Sequence, residues 1–143
     1  MKTISKRVSR EDGVAAVELA LILPVLFLIL FGTLEFGRVW SQYQVFQGAA
    51  REGARCAAVA STSSCDVQPR IDQAAEPYDP EPDATIEILD SSGGSLGPRT
   101  DGCLVSDKGK DVRVSWVQPL DLNIPFWNNV TLTPTIKAVF RCE

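Results

Sequence analysis

The longest apolar run in this 143-residue chain constrains its architecture more than any other feature. Residues 14–34 hold one ionisable side chain, Glu18, and one proline, Pro24. A helix of about 21 residues is about 31 Å long, which matches the hydrocarbon core of a bilayer. Membrane helices tolerate a proline with a kink. We therefore predict a transmembrane helix at about 14–34.

The charges that flank this run predict its orientation. The first ten residues carry four basic side chains and no acidic one, whereas Glu35 and Arg38 after the run nearly cancel and can pair on one helix face. By the positive-inside rule, the N-terminus is cytoplasmic and the rest of the chain lies outside. A cleaved secretory signal has a shorter, uncharged apolar region and a small-x-small cleavage site. Glu18 interrupts the run and Phe36–Trp40 follows it, so a membrane anchor is the better interpretation.

Helical periodicity continues beyond the apolar run. No proline occurs between Pro24 and Pro69, which predicts one helix over residues 14–60, about 70 Å long. The outer half of this helix has small residues that let another element approach closely: Ala49, Ala50, Gly53, Ala54, Ala57 and Ala58. The predicted organisation is thus a basic leader (1–13), the long helix (14–60) and an extracytoplasmic domain (61–143).

The outer domain has an α+β pattern. A short amphipathic helix at Val67–Ala75 precedes a Pro- and acid-rich stretch, 76–83, which predicts an extended, solvated connector. Alternation with a period of two then predicts three strands, which begin at Ala84, Val112 and Thr131, separated by connectors at 91–102 and 119–129. Three strands with one apolar face need a cover. We predict one long N-terminal helix, transmembrane in its first half, packed on a small antiparallel three-stranded sheet.

All four cysteines lie after the apolar run. They lack paired CxxC spacing, and the chain has no histidine, so a zinc site is disfavoured and disulfides in an oxidising compartment are favoured. Cys56 lies at the end of the long helix and Cys65 lies just past the Ser/Thr residues that end it, so a short loop can bring the two together. Cys103 lies before the second strand and Cys142 ends the third, so antiparallel pairing of those strands brings them together. Of the three possible connectivities we predict Cys56–Cys65 and Cys103–Cys142.

Several function classes are disfavoured by what the sequence lacks. The net charge of −4 argues against nucleic acid as a partner. No phosphate-binding loop or Gly-x-Ser-x-Gly elbow occurs, and the acids at 76–83 fit a linker better than a calcium loop. We therefore predict no catalytic site, no metal site and no cofactor.

Two motifs on the long helix carry a family resemblance. A basic leader that ends at Gly13 precedes Val14–Glu18, and Ala49–Arg55 follows the apolar run. Together they resemble the TadE-like family, the minor pilins or pseudopilins of the bacterial tight-adherence (Flp-type) pilus. The resemblance covers about residues 10–60. It implies a pilin-like fold, and a chain anchored once in the bacterial inner membrane with a periplasmic domain that becomes part of the pilus.

The resemblance also implies roles for residues near the membrane. A prepilin peptidase would cut the Gly13–Val14 bond, and Glu18 would be the fifth residue of the mature chain. Family members often follow that glutamate with an aromatic residue, whereas this chain has Leu19. In an assembled bundle, Glu18 would pair with the α-amine of a neighbouring subunit, so that each charge offsets the desolvation of the other. The competing interpretation is a tolerated glutamate that reaches for water at the interface.

The implied partners are the membrane, the prepilin peptidase, other pilin subunits and the tight-adherence assembly machinery. The alternative function is a permanently membrane-anchored extracytoplasmic binding domain, in which Glu18 is incidental. The mass of the mature chain distinguishes the two functions, because only the pilin loses residues 1–13.

Overall fold

A computed structural model describes residues 10–60, 65–124 and 129–143, with side chains from residue 13 onward. Its longest element is helix α1, Arg10–Ala58, which at 49 residues is about 73 Å long. Compared with the predicted helix, 14–60, α1 begins four residues earlier and ends two residues earlier. Pro24 lies inside α1 without ending it. Helix α2 spans Val67–Ala75, as predicted, and most of the predicted leader, 1–9, lies outside the described residues.

Among the described residues, six strands form two antiparallel sheets, and the α+β class is confirmed. The larger sheet has the order β2-β1-β3-β6 and the smaller one pairs β4 with β5. The strands are β1 Thr85–Leu89, β2 Ser95–Arg99, β3 Asp111–Val117, β4 Leu120–Leu122, β5 Val130–Leu132 and β6 Thr135–Arg141. A short 3₁₀ helix, Val105–Asp107, precedes β3. The main sheet thus has four strands where three were predicted.

The differences from the prediction have local causes. The predicted loop at 91–102 contains edge strand β2. The sequence Gly97-Pro98 is typical of a turn, but an edge strand tolerates both residues, and Gly97 adopts a φ of 110° there. The predicted connector at 119–129 contains β4. The predicted third strand, 131–142, is divided between β5 and β6, because Pro134 has no N–H to continue a ladder.

One face of the main sheet forms the core with α1. Antiparallel register places Ile86 beside Val114, and Trp116 beside Ile136, so even-numbered apolar side chains share one face. The other face is polar and carries the Glu87–Arg113 ion pair. The outer half of α1 covers the apolar face, as predicted, with a row of buried side chains: Val39, Phe46, Ala49, Ala50, Ala54 and Ala57.

The Pro-rich connector is less solvated than predicted. Pro80 is buried, and the ring of Tyr78 lies 6.0 Å from that of Phe46 between centroids. The connector is partly buried because Tyr78 packs against the core, which the acid-rich composition of 76–83 does not indicate.

The C-terminal end of α1 is held by two distant parts of the chain. The N–H of Cys103 donates to the carbonyl oxygen of Ala57 at 2.8 Å, and the N–H of Glu143 donates to that of Ala58 at 3.3 Å. These bonds satisfy carbonyls that have no partner within a helix. Gly102 makes the approach possible, because a Cβ there would collide with the backbone of Ala57.

Two disulfides close this end of the molecule. Cys56 is bonded to Cys65, and Cys103 to Cys142, each with a Cα–Cα distance of 5.7 Å. The pairs are those predicted, and the antiparallel pairing of β3 with β6 that led to them is present.

Candidate functional site

The first half of α1 is uncovered by the rest of the protein. No side chain from Gly13 to Arg38 is buried, and large apolar side chains such as Leu21 (73% exposed) and Phe27 (48%) face outward on all sides. This helix is long and apolar enough to cross a membrane. An apolar surface all round a helix suits lipid and not water, so the structure supports anchoring of the chain in a membrane.

The predicted processing site lies in the first turns of this helix. Val14 is 69% exposed, and beyond the backbone of its own helical turns no described residue lies within 4 Å of the place where a Cβ of Gly13 would be. The bond between them is therefore accessible but helical, because α1 begins at Arg10. The first four N–H groups of a helix have no partner within it. A glycine there costs about 1 kcal/mol relative to alanine, so this turn unwinds more readily than the rest.

Glu18 follows Val14 by four residues on the same helix. Its side chain is exposed and makes no hydrogen bond or ion pair with any described residue. A carboxylate at the centre of a bilayer costs about 2.5–3.5 kcal/mol on insertion scales, and less near an interface. A cation from outside this chain would offset that cost, and the exposed carboxylate is free to accept one.

The structure keeps the predicted site residues in two separate groups. Glu18 precedes Val39, the first buried residue of α1, by 21 residues, or about 32 Å of helix. Cys56 lies a further 17 residues along the same helix. The disulfides therefore belong to the folded domain, and Gly13, Val14 and Glu18 form the candidate site at the opposite end of the molecule.

A polar junction between α1 and β4 lies immediately after the predicted membrane span. Arg38 pairs with Glu35, as the spacing indicates, at 2.5 Å between Nη2 and Oε1. Arg38 Nη2 also donates to the carbonyl oxygen of Asp121 (2.8 Å), and the N–H of Asn123 donates to Glu35 Oε1 (2.9 Å). The hydrogen bonds from Arg38 and Asn123 lower the pKa of Glu35 to about 2.

The sequence analysis did not predict that β4 takes part in this junction. The contacts join residues 83 and 88 positions apart, and Asp121 in β4 and Asn123 just after β4 contribute backbone groups, which every residue has. No residue type at 121 or 123 therefore signals the contact.

The sequence analysis did not identify a buried carboxylate, Asp107. Its side chain is 1% exposed and pairs with Lys110 at 2.9 Å and Arg99 at 3.4 Å. It also accepts a hydrogen bond from the N–H of Leu104. The hydrogen bond from Lys110 holds the pKa of Asp107 below its usual range. All its partners are internal, so it stabilises the 3₁₀ turn and has no group left for a ligand.

Within residues 10–60, 65–124 and 129–143, no three Cys, Asp or Glu side chains are grouped so that they could hold a metal ion.

Comparison with known protein families identifies a match within α1. Residues 13–55 match the family model of TadE-like proteins. The match begins at Gly13 and ends at Arg55, so it contains both motifs of α1 and none of the sheet. No curated protein and no solved structure matches the chain.

Proposed function

We propose that the chain, whose residues 13–55 match the family model of TadE-like proteins, is a minor pilin (pseudopilin) that takes part in assembly of a bacterial tight-adherence (Flp-type) pilus. The observation that carries the proposal is Glu18, an exposed carboxylate without a partner among the described residues, five positions after Gly13 on an uncovered apolar helix. The chain would sit in the inner membrane with its disulfide-bonded domain in the periplasm.

Processing by a prepilin peptidase would create the partner that Glu18 needs. Cleavage between Gly13 and Val14 removes the basic leader and leaves a charged α-amine on Val14. In a bundle of such helices, the carboxylate of one subunit would pair with the amine of the next. The pair would fix the register between neighbouring helices, because one subunit shifted along another would leave both charges without a partner in lipid.

Processing is tested by the mass of the mature chain. We expect the full chain, expressed with the peptidase, to lose residues 1–13 and to begin at Val14. Gly13→Leu should block cleavage, because a bulky side chain replaces a hydrogen next to the scissile bond. Gly32→Leu is the matched control, since Gly32 is another α1 glycine with open space around it. A Gly13→Leu chain that matures normally would disprove the processing site.

The role of Glu18 is tested by counting pili. Glu18→Gln should leave the chain cleaved and inserted but reduce piliation, whereas Glu18→Asp should retain part of it because the charge remains. Glu52→Gln, in the folded half of α1, is the control. Wild-type piliation in Glu18→Gln would mean that the glutamate is only tolerated at the interface.

One observation favours the alternative, a permanently anchored extracytoplasmic binding domain. Gly13 and Val14 are helical in this chain, and a protease needs the backbone locally opened before it cuts. If the chain keeps an intact N-terminus when the peptidase is present, this alternative replaces the pilin proposal.

A further inference from the structure

An apolar groove lies between α1 and the β4–β5 pair. Its volume is about 500 Å³. Apart from Thr133, the side chains that line it are apolar or aromatic, and they include Phe36, Trp40 and Tyr43 from α1, Leu122 and Leu132 from the small sheet, and Pro134 just after β5. Several of them remain open to the surroundings: Phe36 is 64% exposed, Trp40 53% and Leu132 45%.

The polar junction fixes the height of this groove above the membrane. Asp121 lies beside Arg38 and Asn123 lies beside Glu35, so β4 runs in the opposite direction to α1 and descends towards the membrane end of the helix. Glu35 is the first residue after the predicted span. Trp40 is then five residues, or about 8 Å, further along the helix axis, at the outer edge of the headgroup layer of a bilayer.

The apolar surface of the groove continues that of the helix below it. One turn below Phe36 on the same helix face lie Gly32 and Thr33, and the Thr33 hydroxyl donates to the carbonyl oxygen of Ile29 at 2.8 Å, so no charged residue separates the predicted span from the groove on that side. Trp and Tyr concentrate where a membrane meets water, because their rings suit a layer that is apolar below and wet above. The ionised Glu35 and Arg38 are already paired with each other and with β4, so the junction needs no further partner there.

We propose that the β4–β5 pair and the Phe36–Trp40 side of α1 enter the interfacial layer of the anchoring bilayer, and that lipid acyl chains fill the groove. Lipid is the favoured occupant because the anchor holds the groove against the membrane, which makes the encounter intramolecular. The folded domain would then rest on the bilayer at two places, the helix and the small sheet. The proposal rests on α1 spanning a membrane and does not depend on the pilus.

Tryptophan quenching tests the proposal in the full chain reconstituted in phosphatidylethanolamine–phosphatidylglycerol vesicles with brominated phosphatidylcholine. Trp40 and Trp127 are first replaced by Phe; Trp127 lies outside the described residues, and Trp116, 4% exposed, remains as a constant background. Leu132→Trp then places a reporter in the groove. Leu96→Trp is the matched control, because Leu96 is a strand leucine with a similar exposure of 54% on the far edge strand β2.

We expect brominated lipid to quench the reporter at residue 132 at least threefold more than the one at 96, and acrylamide in the water to show the opposite order. Equal acrylamide quenching at both positions would overturn the proposal, because the groove would be filled by water. A reporter at 132 shielded from both quenchers would also overturn it, because protein would fill the groove. Val130→Trp, on the same small sheet, replaces Leu132→Trp if that variant loses its circular dichroism spectrum.

Discussion

Close approach of α2 to α1 depends on a single residue, Gly53. A Cβ at this position would collide with the side chain of Ile71, which is fully buried. Gly48, five residues earlier on the same helix, is exposed and has open space around it. The two glycines thus lie on the same helix and differ in whether another element packs against them.

We expect Gly53→Ala and Gly48→Ala to change stability in opposite directions. Both substitutions gain about 0.5–1 kcal/mol of helix propensity. Overpacking typically costs about 1–3 kcal/mol, so Gly53→Ala should be destabilising overall, whereas Gly48→Ala should be stabilising. Urea unfolding of the full chain in micelles measures both. Equal stabilisation by the two variants would mean that α2 does not pack on Gly53.

At the residue scale, the sequence predicted where α1 packs closely but not which element packs there. The small residues from Ala49 to Ala58 predicted a close approach, and they are buried. Which element approaches was not readable, because glycine and alanine admit any partner. Asp107 was missed for a related reason: its ion partners Arg99 and Lys110 are common surface residue types, and only the fold brings them around a buried carboxylate.

At the scale of elements, the junction between α1 and β4 should depend on pH through Glu35. The folded-state pKa of about 2 is below the usual value of about 4.3. A depressed pKa means that the stabilisation is present above about pH 4.3 and is lost as the pH falls towards 2. We expect the Asn123 amide, after correction for intrinsic exchange, to exchange faster at low pH and to exchange fast at all pH values in Glu35→Ala.

Glu52→Ala is the control for that measurement. The ion pairs of Glu52 with Arg55 and Arg70 are both 3.9 Å long and lie at the other end of the domain. An Asn123 amide that stays equally protected in Glu35→Ala would show that β4 is held by its apolar contacts alone.

Elements with strong periodicity were predictable, and elements made by pairing were not. α2 follows its amphipathic pattern from Val67 to Ala75, and β1 and β3 follow their alternation. β2 contains Gly97 and Pro98, and becomes a strand because β1 offers it an edge. β4 and β5 have three residues each and bond to one another, so neither has enough residues to show a period.

On the scale of the whole molecule, α1 connects two regions with different requirements. Its membrane segment, residues 14–34, has an apolar surface with one ionisable side chain, Glu18, and the length of the apolar run predicted this segment from the sequence. Its second half needs small residues on one face and a firmly held end. The candidate site stays a prediction, and its residues could be named from the sequence because they are local in the chain. The tether at Ala57 and Ala58 was not, because its donors, Cys103 and Glu143, come from distant parts of the chain.

The two disulfides should contribute unequally to the stability of this tethered end. Cys56–Cys65 spans 9 positions and Cys103–Cys142 spans 39. In the chain-entropy model, stabilisation rises with the logarithm of loop length, which favours the longer loop by about 1 kcal/mol. Cys103 also carries the N–H that bonds Ala57, so losing its bridge loosens the helix end as well.

We therefore expect the double variant Cys103→Ala/Cys142→Ala to lose more stability than Cys56→Ala/Cys65→Ala, by at least about 1 kcal/mol. Alanine is used because Cys56, Cys103 and Cys142 are buried, and a serine hydroxyl there would need a partner. Urea unfolding of the full chains in micelles gives the difference. Equal losses would contradict the argument, because they would mean that closure of the long loop and the bond to α1 add nothing beyond the short local bridge.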